Sequence, residues 1–331
     1  MTGMLLSKGF VAQFGGELRA RLKAAGRDAD ILHLPDDPQV PLSPEQCARI
    51  EVSYLTRDIR FSPLYQSFGR AVSAAPGLKW LHFVSTGIDQ HPFLDALKAR
   101  GVRLTTSAGS NGEPVGQTAI AGLLMLARRF PRWLDAQRRH AWEPMRGAAV
   151  PPDLRGQTIL IVGMGTIGKT VARFARLVGM HVIGMRRSPL QPGDPVDEMY
   201  PVSALREVLP RCQWVVLACP HTPETHKLLN AETLALLPQG AHVVNVARGA
   251  CVHEAALIAA LQGGHLAGAY LDVFETEPLP AASPLWDLPN VVVSPHNASA
   301  SSGNDRRAAD IFLANVQHWA RNEPLMNERS A

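Results

Sequence analysis

The chain has 331 residues, of which 46% are hydrophobic and 19% charged, and its formal net charge is +4. This composition excludes a disordered protein and is sufficient for two domains of ordinary size. No apolar run approaches the length of a membrane span, and no dense basic stripe with aromatic residues indicates a nucleic-acid partner.

The cysteines and the amino terminus predict a protein of the reducing cytoplasm. The four cysteines lack the C-x-x-C spacing of redox or zinc sites, and the first residues lack the pattern of a signal peptide. No metal-ligand spacing is found elsewhere, so we expect no catalytic metal.

The first third of the chain alternates between apolar runs and helical patterns, which indicates a parallel sheet. A helix is predicted over 63–75 and a second, rich in Ala and Leu, over 118–129. A Pro-rich stretch over 144–156 then leads to the next strand. Buried strands are predicted over 51–55, 79–84 and 101–105.

A glycine motif of the form G-x-G-x-x-G follows the apolar run 158–162 and opens a helical pattern over 166–178. In this setting the first glycine makes a tight turn, the second lets the backbone approach a pyrophosphate, and the third lets the helix pack on the strand. The motif predicts a dinucleotide site, and the alternative is a tight turn without a ligand. Its residues are Gly163, Met164, Gly165, Thr166, Ile167 and Gly168.

Two arginines end the next predicted strand, 181–185, where NAD enzymes usually carry an acid that binds the ribose 2′-hydroxyl. Arg186, Arg187 and Ser188 stand there instead. Because guanidinium groups suit phosphate oxygens, they predict NADP(H) as the preferred cofactor, with NAD(H) possible. The alternative is an ordinary solvated arginine pair.

Further strands and helices alternate to the end of the chain and would complete a six-stranded doubly wound sheet. Strands are predicted over 214–218, 241–246, 266–271 and 291–293, and helices over 231–237, 254–261 and 305–319.

Polar residues suited to hydride transfer follow the last three of these strands, at the edge where open α/β sheets place ligands. Arg248 can bind a carboxylate with two hydrogen bonds and polarise a neighbouring carbonyl. His296 can give and take a proton near neutral pH, and a nearby glutamate would orient its ring. The catalytic candidates are therefore Arg248, Glu277 and His296.

Four stretches resemble the D-isomer-specific 2-hydroxyacid dehydrogenase family in order and spacing. They are the glycine motif, 245–249, 271–280 and 294–296. The resemblance implies a two-lobed α/β fold, in which a Rossmann-type doubly wound parallel-sheet cofactor domain (113–297) is inserted in a flavodoxin-like parallel-sheet catalytic domain (1–112 and 298–331).

The resemblance also implies roles for individual residues. Arg248 and His296 bind the substrate, His296 is the acid/base, and Glu277 is its partner. A homodimer is implied as well, with 118–150 as an arm that contacts the neighbour. Further cofactor residues would be Cys219, Pro220, His221, Thr222, Ala247 and Asp272, and further substrate residues Ser85, Thr86 and Gly87 of the 85–89 loop, with Arg57 as an alternative to a solvated loop arginine.

The chain departs from the common family pattern at Arg186 and at Gln117, where an acid is usual. It looks more like the glyoxylate/hydroxypyruvate reductase branch, so the predicted activity is reduction of a small 2-oxo acid to the D-2-hydroxy acid. One alternative is a non-catalytic, corepressor-like dinucleotide sensor on the same scaffold. Another is formate or phosphite oxidation, which Glu277 disfavours because formate dehydrogenases of this fold carry Gln there.

Overall fold

The computed structural model describes residues 1–88 and 91–329, so Asp89 of the predicted substrate loop lies outside the described residues. The chain divides into two compact units, Met1–Asn111 with Ser301–Ala331 and Gly112–Ala300. The functions of these units as substrate and cofactor domains stay predictions.

The amino-terminal segment supplies five strands and five helices among the described residues. In chain order they are β1 (Thr2–Leu5), α1 (Lys8–Ala24), β2 (Ala29–Leu32), α2 (Pro44–Ala48), β3 (Val52–Leu55), α3 (Arg57–Arg60), α4 (Leu64–Ala74), β4 (Trp80–Phe83), α5 (Leu94–Ala99) and β5 (Arg103–Thr106).

The central unit opens with two consecutive helices and then alternates between strand and helix. Its elements are α6 (Gly112–Ala127), α7 (Phe130–Arg138), β6 (Thr158–Val162), α8 (Thr166–Leu177), β7 (His181–Met185), β8 (Glu198–Tyr200), α9 (Leu205–Val208), β9 (Trp214–Leu217), α10 (Ala231–Ala235), β10 (Ala241–Asn245), α11 (Glu254–Gln262), β11 (Leu266–Leu271) and β12 (Val291–Val293).

The chain then returns to the first unit with α12 (Asn304–Ala320) and β13 (Glu328–Arg329). Over the described residues, the sheet of this unit has the strand order β13-β5-β4-β3-β1-β2. Its strands pair in parallel except β13, which is antiparallel to β5. The order 2-1-3-4-5 of its first five strands is that of a flavodoxin-like sheet.

The sheet of the central unit has the order β12-β11-β10-β9-β6-β7-β8, and over residues 158–293 each pair of neighbouring strands is parallel. The order reverses direction between β6 and β9, which is the switch point where doubly wound sheets bind ligands. The predicted α/β class with two parallel-dominated sheets is confirmed.

In each unit, apolar side chains on the two faces of the sheet form the core. The strands β6, β7 and β9 are buried almost throughout, as expected of parallel strands covered by helices on both faces. On α8, Val171, Ala172 and Ala175 form the buried face against the sheet. The burial of this apolar face, and not helix propensity alone, fixes α8 in place.

The amino-terminal edge of the central sheet carries a stacked aromatic pair. The rings of Trp214 and His242 lie 4.1 Å apart with an angle of 8° between their planes. Burial, with a smaller contribution from the nearby charge of Arg129, lowers the pKa of His242 to about 4. The imidazole is therefore neutral at physiological pH.

The elements differ from the sequence expectations in several places, and the helices α2, α3, α5, α7 and α9 and the strand β13 were not predicted. The short strand β8 makes the central sheet seven-stranded over the described chain rather than six-stranded; it has partly exposed residues and no apolar run. The helix α6 begins six residues before the predicted 118, and the elements β1, α1 and β2 were not predicted. No helix among residues 1–88 and 91–329 is long and apolar enough to cross a membrane, and a cytoplasmic location stays a prediction.

Candidate active site

The register of three parallel strands brings three of the predicted polar loops to one edge of the central sheet. Asn245 at the end of β10 pairs with Leu271, and Leu271 pairs with Val293. The loops that follow these positions carry Arg248, Asp272 and His296. They therefore begin side by side at the carboxyl edge of the sheet.

The structure joins His296 and Glu277 directly. The Nδ1 atom of His296 lies 2.7 Å from Oε2 of Glu277, and the other carboxylate oxygen accepts the N–H of Phe274 at 3.0 Å. A carboxylate held at both oxygens fixes the imidazole ring and assigns the proton to Nδ1. The side chain of His296 is 49% exposed, so its Nε2 is accessible to a small molecule.

Asp272 shapes the turn that carries His296. Its side chain is buried, and its carboxylate accepts the hydroxyl of Ser294 at 2.5 Å and the N–H groups of Asn297 and Ala298 at 2.9–3.0 Å. The Ser294 hydroxyl is also 2.7 Å from that of Tyr270. The Asp272 carboxylate is therefore bound to donors of the protein itself. Its contact with a cofactor stays a prediction.

Arg248 is an exposed arginine on a rigid turn. The amide of Asn245 closes that turn, because its oxygen accepts the N–H of Ala247 at 3.0 Å and its nitrogen donates to the Arg248 carbonyl at 3.2 Å. Behind the turn, a Cβ on Gly249 would lie 1.9 Å from the backbone of Phe274, so only glycine fits. Its Nη1 donates to the Ala247 carbonyl at 2.6 Å, and among the described residues no carboxylate is paired with Arg248, which leaves its other N–H groups available for an anion.

The glycine motif has the geometry that a dinucleotide requires. Gly163 has φ +98°, and a Cβ there would lie 2.6 Å from the carbonyl oxygen of Ala218. A Cβ on Gly168 would lie 2.0 Å from the Gly163 oxygen, whereas a Cβ on Gly165 would meet nothing within 4 Å. Gly165 caps α8 without a side chain. The first turn of the helix is therefore open to an approaching anion, as a pyrophosphate site demands.

The two arginines after β7 have different surroundings. Both outer nitrogens of Arg186 bind the carboxylate of Asp194, at 3.0 and 2.5 Å. The side chain of Arg187 is 78% exposed, and within the described part of the chain its ion-pair partner is Glu224, at 3.2 Å. Ser188 follows them, and its carbonyl accepts the Nε–H of Arg186.

The segment 219–222 forms a short loop after β9. The Thr225 hydroxyl accepts the N–H of Thr222 and donates to the Pro220 carbonyl, both at 2.8 Å, and His221 lies 3.1 Å from His226. A hydrogen bond with the Cys251 thiol, together with burial, raises the pKa of Cys219. Cys219 is therefore a neutral thiol at physiological pH and has no nucleophilic character.

The remaining predicted substrate residues, Ser85, Thr86, Gly87 and Arg57, belong to the other unit, where they follow β4 and β3. The Ser85 hydroxyl donates to the Gly87 carbonyl at 2.8 Å, and the Thr86 carbonyl accepts from Arg329 at 3.0 Å. Arg57 is 3.1 Å from Asp305 in an exposed ion pair. The roles of these residues, and those of the other predicted site residues, stay predictions.

Sequence reasoning missed the residues that support the site. Ser294 binds the Asp272 carboxylate, Tyr270 binds Ser294, and Asp194 binds Arg186, yet none of them was proposed. The only sequence signal was position, since Tyr270 and Ser294 stand within two residues of a predicted site residue. Gln117, the unexplained departure, contacts Glu113 on the exposed side of α6 at 3.2 Å.

Within 1–88 and 91–329, no group of three or more His, Cys, Asp or Glu side chains is arranged to hold a metal ion. All four cysteines are buried free thiols in this part of the chain. The described polar groups here comprise a hydrogen-bonded histidine and glutamate, an exposed arginine without a carboxylate partner, and a helix whose first turn is open.

Residues 120–298 match the family model described as D-isomer specific 2-hydroxyacid dehydrogenase, NAD binding domain. The chain is 36% identical over 257 residues to the glyoxylate reductase of Korarchaeum cryptofilum, covering 76% of this chain and 75% of that protein. It is 34% identical to glyoxylate/hydroxypyruvate reductase HPR3 of Arabidopsis thaliana, with 77% of each chain covered. A D-3-phosphoglycerate dehydrogenase of Mycobacterium tuberculosis is 36% identical over 72% of this chain, which spans 45% of that longer protein.

Solved structures show the same similarity over the whole chain. A D-isomer specific 2-hydroxyacid dehydrogenase from Xanthobacter autotrophicus Py2, in complex with NADPH and MES, has a TM-score of 0.74 and 32% identity, covering 100% of this chain and 98% of that one. A family protein from Aeromonas salmonicida has a TM-score of 0.75 and 30% identity, with 99% and 98% covered.

Proposed function

The chain belongs to the family of D-isomer-specific 2-hydroxyacid dehydrogenases, enzymes that use a nicotinamide dinucleotide, and on this premise we propose that it reduces a small 2-oxo acid to the D-2-hydroxy acid with NADP(H) preferred over NAD(H). The observation that carries this proposal is the hydrogen bond between His296 and Glu277, at the same sheet edge as Arg248, which has no carboxylate partner among the described residues. A general acid and an anion-binding arginine are the two groups that reduction of a 2-oxo acid requires.

The dinucleotide would be held by the glycine motif and by the segments that follow β7 and β9. The open space at Gly165 and the uncapped first turn of α8 fit a pyrophosphate. The segment 219–222 and Ala247 would lie along the cofactor, and Asp272 would act through the 294–298 turn. When bound, the dinucleotide supplies the hydride for the reduction.

The chain's own residues would then manage the carboxylate and the proton. Arg248 would bind the substrate carboxylate, with the guanidinium also polarising the adjacent carbonyl. Nδ1 of His296 would stay bound to Glu277, while Nε2 would give a proton to the carbonyl oxygen. In the reverse direction Nε2 would accept the hydroxyl proton.

Glyoxylate, hydroxypyruvate or another short 2-oxo acid is the proposed substrate. Two relatives that are more than 30% identical are named as reductases of such acids. Ser85, Thr86 and Gly87 would add backbone and hydroxyl groups that bind the carboxylate, and Arg57 is the weakest member of this set because Asp305 already pairs with it.

The NADP(H) preference rests on Arg187 and Ser188 and on the lack of an acid directly after β7. A carboxylate at that position would repel a 2′-phosphate, whereas guanidinium and hydroxyl groups bind its oxygens. A similar family structure contains NADPH, which supports the same preference for this chain.

A homodimer is part of the proposal. The segment after α6 exposes the large apolar side chains of Phe130, Trp133, Leu134, Trp142 and Val150. Trp142 is 96% exposed. Clusters of exposed apolar residues of this kind are typical of protein interfaces. A second copy of the chain would cover them.

The direct test is a set of initial rates with NADPH and with NADH on glyoxylate, hydroxypyruvate and longer 2-oxo acids. The proposal expects turnover of a short 2-oxo acid, with a higher kcat/KM for NADPH. Faster turnover with NADH would refute the cofactor preference alone. Absence of turnover with either cofactor, combined with tight dinucleotide binding, would favour the non-catalytic sensor.

A further inference from the structure

Asp194 is a buried carboxylate in an otherwise exposed loop. Its side chain is 2% exposed, whereas the three residues before it are exposed. Burial of a carboxylate is unfavourable unless cations and hydrogen bonds compensate it. The loop therefore has a specific arrangement around this group, although nothing in the chemistry of the proposed reaction requires an acid there.

The compensation comes from Arg186, which uses nearly all of its donors inside the loop. Its Nη1 and Nη2 atoms bind the two Asp194 oxygens, and its Nε and Nη2 donate to the carbonyls of Ser188 and Pro189 at 3.0 and 2.6 Å. Four of the five guanidinium N–H groups are thus occupied. With its side chain 15% exposed, Arg186 closes the loop 186–194 rather than reaching into solvent.

Two further groups complete this arrangement. The ammonium of Lys169, one residue after the glycine motif, lies 3.3 Å from Asp194, and the N–H of Gln191 donates to the same carboxylate at 2.9 Å. The Arg186 guanidinium, followed by the Gln191 N–H, lowers the pKa of Asp194 to about 2. The carboxylate is therefore charged throughout the physiological range and ties the loop to the first turns of α8.

Arg187 is held much more loosely than its neighbour. The ion pair that it makes with Glu224 joins two side chains that are 78% and 58% exposed. Ion pairs between exposed side chains contribute little free energy, so Arg187 can exchange Glu224 for another anion readily. The hydroxyl of Ser188 is next to it on the same turn.

We propose that Asp194 is a positioning residue for cofactor choice: by binding Arg186 it holds the 186–188 turn so that Arg187 and Ser188, and not Arg186, bind the 2′-phosphate of NADP(H). This inference rests on the NADP(H) preference proposed above. It assigns opposite functions to two adjacent arginines, one structural and one in contact with phosphate.

The test measures binding of two nucleotides by calorimetry, without turnover. Adenosine 2′,5′-bisphosphate carries the 2′-phosphate, and adenosine 5′-monophosphate lacks it. We expect the wild-type chain to bind the bisphosphate more tightly, and Arg187→Ala and Asp194→Asn each to weaken bisphosphate binding by about tenfold or more. Binding of the monophosphate should change by less than about twofold, since neither variant alters the pyrophosphate site.

Asp194→Asn separates the two possible functions of Arg186 by the sign of its effect. If Arg186 bound the phosphate directly, removal of its carboxylate partner would free the guanidinium and strengthen bisphosphate binding, which would overturn the proposal. Asp197→Asn is the matched control, because Asp197 accepts the Val182 N–H but does not bind Arg186. It removes an equal charge nearby and should leave the ratio of the two affinities unchanged.

Two further variants keep the inference testable if Asp194→Asn does not fold. Arg186→Lys retains the charge beside Asp194 but cannot bind the Ser188 and Pro189 carbonyls together, so the same loss is expected. Glu224→Gln frees Arg187 and should strengthen bisphosphate binding. A wild-type chain that binds both nucleotides equally would refute the NADP(H) preference itself, whereas a loss in Arg187→Ala without a loss in Asp194→Asn or Arg186→Lys would refute only the function of Asp194.

Discussion

The backbone of His296 is hydrogen-bonded to the backbone of Asp272, and the side chain of Asp272 binds the turn that begins at His296. The His296 N–H donates to the Asp272 carbonyl at 2.8 Å, while the Asp272 carboxylate accepts the next two backbone N–H groups. His296 has φ +50°, a left-handed conformation that is unfavourable for a residue with a Cβ. The buried carboxylate therefore stabilises the conformation that presents the imidazole.

Replacement of Asp272 tests this relationship. Asp272→Asn keeps the volume but places an amide N–H₂ against the Ala298 N–H, where two donors repel each other, and removes the charge that strengthens the remaining hydrogen bonds. We expect a loss of about 1–3 kcal/mol in the free energy of unfolding, together with a lower kcat. Urea unfolding and steady-state rates measure these effects. Asp287→Asn, a change at an exposed acid on the same stretch of chain, should alter neither quantity.

The acid/base assignment predicts graded effects on turnover. His296→Asn should lower kcat by about 10²- to 10⁴-fold, because the proton donor is removed. Glu277→Gln should have a smaller effect, since the ring remains but its charged partner does not. Glu275→Gln changes an exposed neighbour two residues away and is the control. Dinucleotide binding should stay intact in all three variants. An unchanged kcat in His296→Asn would then contradict the assignment.

Two glycines of the same motif should respond differently to alanine. Gly165→Ala adds a methyl group to open space at the start of α8, so the free energy of unfolding should change by less than about 0.5 kcal/mol. Its affinity for the dinucleotide should nevertheless fall sharply, because the methyl group occupies the approach to the helix end. Gly168→Ala places a methyl group against the Gly163 carbonyl, so its main effect should be a lower free energy of unfolding. Thermal unfolding with and without dinucleotide separates the two cases.

The stacked His242 gives stability a dependence on pH. Its pKa is lowered to about 4 in the folded chain from 6.5, so folding favours the neutral ring. The stabilisation is complete above pH 6.5 and is lost as the pH falls from 6.5 towards 4, with a slope of at most about 1.4 kcal/mol per pH unit. His242→Phe keeps a ring beside Trp214 without a titrating group. Between pH 6.5 and 4, the free energy of unfolding measured in urea should fall less steeply for this variant than for the wild type. Above pH 7.5 the two curves should run parallel.

The proposed homodimer predicts that charge on the exposed apolar segment separates the subunits. Trp142→Glu and Trp133→Glu should convert a dimer to a monomer in sedimentation experiments, because a desolvated carboxylate opposes association. Leu177→Glu is the control, since Leu177 is 81% exposed on α8 outside this segment. A wild-type chain that sediments as a monomer at all concentrations would refute the dimer.

Patterns in the sequence predicted most of the strands that bury apolar residues, although not β1, whose four residues are all buried. The runs 158–162, 181–185 and 266–271 coincide with β6, β7 and β11 because a strand covered on both faces must be apolar throughout. The partly exposed β8 has no such run. Side-chain partners depend on loops, whose course follows no periodicity, and this is why the contact between Asp194 and Arg186 could not be predicted.

The same limit applies within the candidate site. The family resemblance implied the pairing of Glu277 with His296, which are hydrogen-bonded in the structure. It did not indicate that Asp272 would be occupied by the turn around His296, because that contact depends on the left-handed backbone of one residue. The sequence also could not distinguish Arg186 from Arg187, since the two differ only in what surrounds them.

The loop closed by Arg186 and Asp194 limits how the cofactor choice of this chain could be redesigned. The usual conversion towards NAD replaces the residue after β7 with an acid, but Arg186→Asp would place a second carboxylate against one that is already buried. The two like charges would repel each other, and the loop would open instead of forming a ribose site. A successful redesign would exchange both members of the pair at once, or leave both in place and alter Arg187 alone.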